Sequence, residues 1–228
     1  MALRSFKDAF QDMPLIPALR GISEAEVREV GQILLDNGIT IFEVPIRTGN
    51  AIFSQIDNTA IHCIEILVDT FGEYVNISAG TVMKITDLDK LVTIGIKDCF
   101  SINLNTELLE SAKERNFSFF PGIETVTEAI NAVKSGADGI KLFPSVFRNP
   151  DSSINAYHPP GYVNYLGKFV DCPIIPSGNA FNEMTVKHYF SCGANGLNIG
   201  SQIYEPNINL WNLEARVKKM VSFIKKYR

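Results

Sequence analysis

The chain has 228 residues, 46% of them hydrophobic and 20% charged, which supplies material for a sizeable core and excludes a disordered chain. Its 21 Lys and Arg against 25 Asp and Glu leave a formal charge of −4. That balance argues against an electrostatic grip on nucleic acid or an anionic membrane, and leaves room for a small anionic substrate in a local basic pocket.

The first residues, MALRSFKDAFQDM, carry no apolar h-region of an export signal and read as a short N-terminal helix. LIPALRG from Leu15 follows as a strand, then SEAEVREVGQILLDNG as a helix, with Ser23 and Glu26 as a capping box and Gly38 as its stop. The alternation continues through TIFEVPI, a helical stretch ending at Phe71, YVNISAGT, ITDLDKLVTIG, DCFSINLN, TELLESAKERN and FSFFPG. TVTEAINAVKSG, DGIKLFP, YVNYLGKF, CPIIPSG, NEMTVKHYFSCG, NGLNIGS and a last helix around WNLEARVKKMVSFIKKY complete it.

Eight strands and eight helices at about 28 residues per unit predict an α/β fold: a single (β/α)8 TIM barrel, one domain over residues 1–228. An open doubly wound sheet shares the alternation, but no Gly-x-Gly-x-x-Gly follows the first strand to favour it. No stretch approaches the roughly 20 apolar residues of a bilayer span. Cys63, Cys99, Cys172 and Cys192 are widely spaced with no Cys-x-x-Cys, as reduced core thiols are, so a cytoplasmic home is expected. His62, His158 and His188 lie apart, and no metal is expected. The basic residues of the last helix read as a solvated face.

In such a barrel the reacting groups sit at the C-terminal ends of the strands. Those ends carry Arg20, Glu43 with Arg47, Gly80 with Thr81, Asn103 with Asn105, Pro121 with Gly122, Lys141, Ser177 with Gly178, and Gly200 with Ser201. Lys141 interrupts the apolar run Ile140–Phe143; desolvation there favours a neutral amine, the nucleophile that condenses with a ketone. A lysine snorkelling to solvent is the alternative. Glu43 repeats the anomaly in Phe42–Pro45, and the two side chains read either as an acid/base and nucleophile or as a plain buried ion pair. The turns at Ser177–Gly178 and Gly200–Ser201 offer backbone amides to a phosphate, and Arg20 and Arg47 offer forks to a carboxylate or phosphate.

LIPALRG, FEVPIRTGNA, ISAGTV, FFPGIETVTEA, GIKLFPS, PIIPSGN and GLNIGS, in that order, resemble blocks of the class I aldolases that cleave 2-keto-3-deoxy-6-phosphogluconate, its galactonate epimer or 4-hydroxy-2-oxoglutarate. By that resemblance Lys141 is the Schiff-base lysine and Glu43 the catalytic carboxylate. Arg47 holds the substrate carboxylate in gluconate-type members, Thr81 assists it, and Arg20 is the substrate arginine of galactonate-type members. Ser177, Gly178, Gly200 and Ser201 match the phosphate turns. The resemblance implies a cofactor-free, metal-free homotrimer acting on a phosphorylated keto acid. Three departures stand out: SINLN replaces a Ser-Pro at the fourth strand, Ser177 replaces a glycine of the seventh-strand turn, and the segment FRNPDSSINAYHPPGYVNYL after Lys141 is longer than the family's. A phosphate-binding isomerase and a non-catalytic phospho-sugar module are the competing readings.

Overall fold

A computed structural model describes residues 5–49, 55–149, 151 and 153–228. Asn50 and Ala51 of the second-strand block, Pro150 and Ser152 of the long segment, and residues 1–4 of the expected domain lie outside the described residues. The strands that meet in parallel are β1 (Leu15–Pro17), β2 (Ile41–Pro45), β3 (Asn76–Gly80), β4 (Asp98–Phe100), β5 (Ser118–Phe120), β6 (Gly122–Ile123), β7 (Ile140–Leu142), β10 (Ile174–Gly178) and β11 (Leu197–Ile199). Between them run α2 (Val27–Asp36), α3 (Asn58–Phe71), α4 (Ile85–Thr93), α5 (Thr106–Glu114), α6 (Val126–Lys134), α7 (Pro160–Leu166) and α8 (Glu183–Ser191). A short α1 (Phe6–Asp12) precedes β1, and α9 (Leu210–Tyr227) ends the chain.

Backbone pairing gives two parallel sheets, ordered β1-β11-β10-β7-β6 and β2-β3-β4-β5. They touch at two seams. At one, Ala18 just past β1 bridges Glu43, and the Leu19 N–H donates to the Glu43 carbonyl at 2.8 Å. At the other, β5 pairs with β4 while β6 pairs with β7, so residues 118–123 are a single extended segment that changes partner at Pro121. Proline has no N–H to give a ladder, which is why the segment divides there.

Alternation along the strands separates two cores. Leu15, Phe42, Cys99, Phe119, Ile140, Leu142, Ile174, Leu197 and Ile199 face the helices within the large outer core. Their neighbours Ile16, Ile41, Phe100, Phe120 and Ile175 form a smaller inner cluster with Ala9 and Phe10 of α1. The same period of two carries Glu43, Lys141, Ser177 and Asn198 to the inner side, above that cluster.

Two local expectations change. Helix α2 begins at Val27, a turn after Ser23; Glu26 still reaches back to the Ser23 N–H and hydroxyl, at 3.3 and 3.0 Å, but also accepts the Tyr204 hydroxyl at 2.7 Å. Gly38 ends the helix as expected, at φ +80°. The long segment after Lys141 contains an antiparallel hairpin, β8 (Val146–Arg148) with β9 (Ile154–Ala156), which periodicity alone did not reveal because each strand is three residues long.

Candidate active site

Lys141 and Glu43 come together although 98 positions apart. The Lys141 Nζ donates to Glu43 Oε1 at 3.2 Å and Oε2 at 3.3 Å, with the residues 5% and 1% exposed. β2 and β7 lie in different sheets, and each turns its middle residue to the inner side; a Cβ on Gly80 would collide with the Glu43 carboxylate, so glycine there makes its space. The rings of Phe100 and Phe143 each lie with their centroids 5.6 Å from the Lys141 nitrogen. Burial pushes the amine below the ordinary lysine range; the charge and hydrogen bond of Glu43 pull it back up in part, and the Arg20 guanidinium adds to the lowering.

Glu43 has a second partner. Asn198 of β11 donates from Nδ2 to Glu43 Oε2 at 2.5 Å and to the Ile16 carbonyl at 3.1 Å, while its Oδ1 accepts the Ser177 hydroxyl at 2.7 Å. Asn198 escaped sequence analysis although its signal resembled that of Lys141, a polar side chain inside the apolar run GLNIG.

The two arginines separate. Arg47, 2% exposed, closes a two-pronged pair with Asp87 at 2.7 Å on each prong and donates to the Thr81 carbonyl at 3.0 Å. Its guanidinium is thereby committed to the scaffold, and Asp87 is tied in turn to the N–H groups of Met83 and Lys84 at 2.9 Å. Arg20 instead lines a cavity of about 460 Å³ that also reaches Glu43, Lys141 and Ser201, and donates to Thr81 Oγ1 at 3.2 Å and the Arg47 carbonyl at 2.6 Å. Thr81 takes φ +57°, a left-handed conformation that costs a β-branched residue about 1–3 kcal/mol. Both arginines hold it there.

The two expected phosphate turns also differ from one another. Ser177 spends its hydroxyl on Asn198, a Cβ on Gly178 would collide with the Val146 carbonyl, and the Asn179 N–H donates to that carbonyl at 3.0 Å. The hairpin following Lys141 thus packs on the first turn, whose Ser177, Gly178 and Asn179 also line the cavity. At the second, the Gly200 N–H donates to the Gly178 carbonyl at 3.1 Å, while Ser201 faces both the cavity and the side chain of Asn179 at 3.2 Å. Phe143 and Phe147, 5.7 Å apart edge to face, form an apolar wall that the sequence pattern did not indicate. Asn105 caps α5 and Ser101 bonds the Asn103 carbonyl, so the fourth strand's end serves its own helix. Among the described residues no three His, Cys, Asp or Glu side chains gather as metal ligands would.

A family model described as aldolase, KDPG and KHG aldolase, matches residues 6–219. The chain is 27% identical over 218 residues to the 2-dehydro-3-deoxy-6-phosphogalactonate aldolase of Escherichia coli (strain K12), covering 95% of each. A solved native KDPGal structure superposes with a TM-score of 0.79 at 23% identity, over 100% of this chain and 98% of that one. KDPG aldolase from Legionella pneumophila, with pyruvate captured at low pH as a covalent carbinolamine, superposes at 0.71 and 21% identity, over 96% of each.

Proposed function

The chain belongs to the KDPG and KHG aldolase family, and we propose that it cleaves 2-dehydro-3-deoxy-6-phosphogalactonate to pyruvate and glyceraldehyde 3-phosphate through an imine on Lys141. It is an aldolase, an aldehyde-lyase. The observation that carries the mechanism is a buried amine, lowered by its surroundings, in contact with a buried carboxylate. The captured carbinolamine of the Legionella relative supports an amine nucleophile.

In this reading the neutral Lys141 Nζ adds to the C2 ketone, and the carbinolamine takes a proton from solvent on its hydroxyl and loses water to give a protonated imine. Glu43 takes the C4 hydroxyl proton; the C3–C4 bond breaks, its electrons pass into the imine to make an enamine, and C4 departs as the aldehyde of glyceraldehyde 3-phosphate. Glu43 returns its proton to C3, and water releases pyruvate, restores the neutral amine and gives the proton back to solvent. Arg20 with Thr81 holds the substrate carboxylate so that C2 faces the amine. The galactonate type is favoured because Arg20 lines the cavity whereas Arg47 is spent on Asp87, and because the Escherichia coli relative is a phosphogalactonate aldolase. The phosphate is assigned to the Gly200–Ser201 turn of the cavity, since the hairpin packs on the neighbouring Gly178 and the Ser177 hydroxyl is bonded to Asn198.

Two measurements test this. Pyruvate with borohydride should add covalently to Lys141, and an unmodified Lys141 in an enzyme that turns over would remove it from the mechanism. Pyruvate release from the phosphogalactonate, phosphogluconate and hydroxyoxoglutarate substrates side by side should be fastest with the first; a preference for phosphogluconate would return the carboxylate role to Arg47.

The same reading joins the two sheets into one closed (β/α)8 barrel and one domain, supported by the Ala18–Glu43 bridge and the continuous segment 118–123. It also takes the protein as cytoplasmic, with support from the unpaired state of all four cysteines, and as a homotrimer by the family resemblance alone.

A further inference from the structure

We infer that Asn198, oriented by Ser177, is a positioning residue of the cleavage step: it occupies Glu43 Oε2 with an amide N–H and leaves Oε1 to take the substrate proton. The inference rests on the aldolase mechanism proposed above and assigns a task to two residues that mechanism does not use.

The amide has one satisfied orientation. Its two N–H groups go to the Ile16 carbonyl and Glu43 Oε2, and its oxygen accepts from Ser177. Turned over, it would set its oxygen against a carbonyl and a carboxylate, two contacts between acceptors. The mount is stiff as well. Asn198 stands in register with Ile16 on one side and Ser177 on the other, so three neighbouring strands fix it, and both Asn198 and Ser177 are at least 96% buried.

Lys141 cannot do this work throughout the reaction. Its amine is consumed as the imine forms, so its hydrogen bonds to Glu43 change at the step where that carboxylate must be aimed at C4. Asn198 is neutral and forms no bond to substrate in this chemistry, so its N–H holds Oε2 at each stage. Among the described residues lining the cavity, the charged ones that face the pair are Arg20, Lys141 and Glu205; the Arg47–Asp87 pair closes on itself, and the Tyr204 phenol is bonded to Glu26. A donated N–H favours the ionised carboxylate, so its loss moves the acid limb of turnover to higher pH.

The test compares wild type with Asn198→Ala, Asn198→Asp, Ser177→Ala and Ser177→Thr for kcat, KM, the pH profile of kcat and the pyruvate–borohydride adduct at Lys141. In Asn198→Ala, kcat should fall about 10–100-fold, with KM within about threefold, the acid limb raised and the adduct still formed. Asn198→Asp, nearly isosteric, should be worse than Ala, because two carboxylates then share a proton. Ser177→Thr should retain more turnover than Ser177→Ala. An Asp variant milder than Ala with an unmoved acid limb would reduce Asn198 to packing and overturn the inference. So would a rise in KM at constant kcat, which marks a substrate contact. Should Asn198→Ala fail to melt cooperatively, the serine pair decides: wild-type kcat and acid limb in Ser177→Ala also overturn it. A wild type that gives no adduct at Lys141 defeats the imine mechanism itself and the inference with it, a result distinct from an intact adduct with unaltered variants.

Discussion

The two ends of the strands make an instructive pair. At their N-terminal ends, under α1, lies a cavity of about 880 Å³ walled by Phe6, Phe10 and Phe120; at their C-terminal ends lies the cavity of about 460 Å³ around Lys141. The larger space holds the plainer chemistry. Its aromatic rings pack on one another, Phe6 on Phe120 at 4.7 Å and Phe100 on Phe120 at 4.8 Å, and Asp138 there is tied to Lys113 and to the Phe119 N–H at 2.7 and 2.8 Å. At the smaller end, four buried polar side chains bond mainly to one another: Ser177 to Asn198, Asn198 to Glu43, Lys141 to Glu43. Buried polar groups whose partners are also buried mark a candidate reactive end, whereas volume follows from how well a helix plugs a sheet.

The sharpest way to break this contrast is to make the C-terminal end as inert as the other. Glu43→Gln keeps the shape and removes the proposed proton acceptor, so turnover should fall about 10²–10⁴-fold while pyruvate still traps on Lys141 under borohydride. The pH dependence of trapping tests the electrostatics separately. Glu43 raises the lysine pKa against the lowering by burial, so without its charge the amine should become reactive at lower pH, and the trapping profile should move down. A profile that moves up, or full turnover, would show that Glu43 does not govern the amine.

Much of the C-terminal end was legible in the sequence because charge inside an apolar strand is conspicuous: Lys141 in IKLFP and Glu43 in FEVP stand out against their neighbours. Asn198 is equally anomalous in GLNIG, but a neutral amide raises no alarm until its partners are known. The fate of Arg47 was hidden for another reason. Its partner Asp87 lies 40 positions away on α4, and no local pattern links an arginine after one strand to an aspartate in the first turn of a distant helix. The strand and helix alternation was readable throughout, since it depends on periods of two and 3.6. The hairpin was not: Val146–Arg148 and Ile154–Ala156 are too short to show a period, and Ile154–Ala156 is exposed, so no apolar face marks it. That hairpin packs on the Gly178 turn, so the least predictable element bears most on how a phosphate would be held there.

Phe100 connects the two ends, since its ring stacks on Phe120 below and lies near the Lys141 nitrogen above. Phe100→Ala should cost about 3–5 kcal/mol of stability, read as a lower denaturant midpoint. If the aromatic floor keeps the amine dry, the same variant admits water beneath Lys141 and moves the trapping profile to higher pH, opposite in direction to Glu43→Gln. Lost stability with an unmoved profile would mean that the ends are energetically independent.

Asp98 is the exception on the N-terminal side, a buried carboxyl with no catalytic neighbour, and it offers the smallest effect. Burial pushes its pKa from 3.8 up to about 6; a hydrogen bond with Ser118 opposes that, Asp138 adds to it, and Lys97 opposes it. A carboxyl whose folded pKa lies above its unfolded value stabilises the fold below the unfolded value and loses that contribution as pH rises through the folded one. Wild type should therefore lose on the order of 2–3 kcal/mol from this group across the window from 3.8 to about 6. Asp98→Asn, which carries no titrating proton, should match wild type in denaturant midpoint at the acid side of that window and exceed it above. Parallel midpoints across the window would mean that Asp98 is hydrated in solution, and would leave the buried charges among the described residues confined to the end around Lys141 and Glu43.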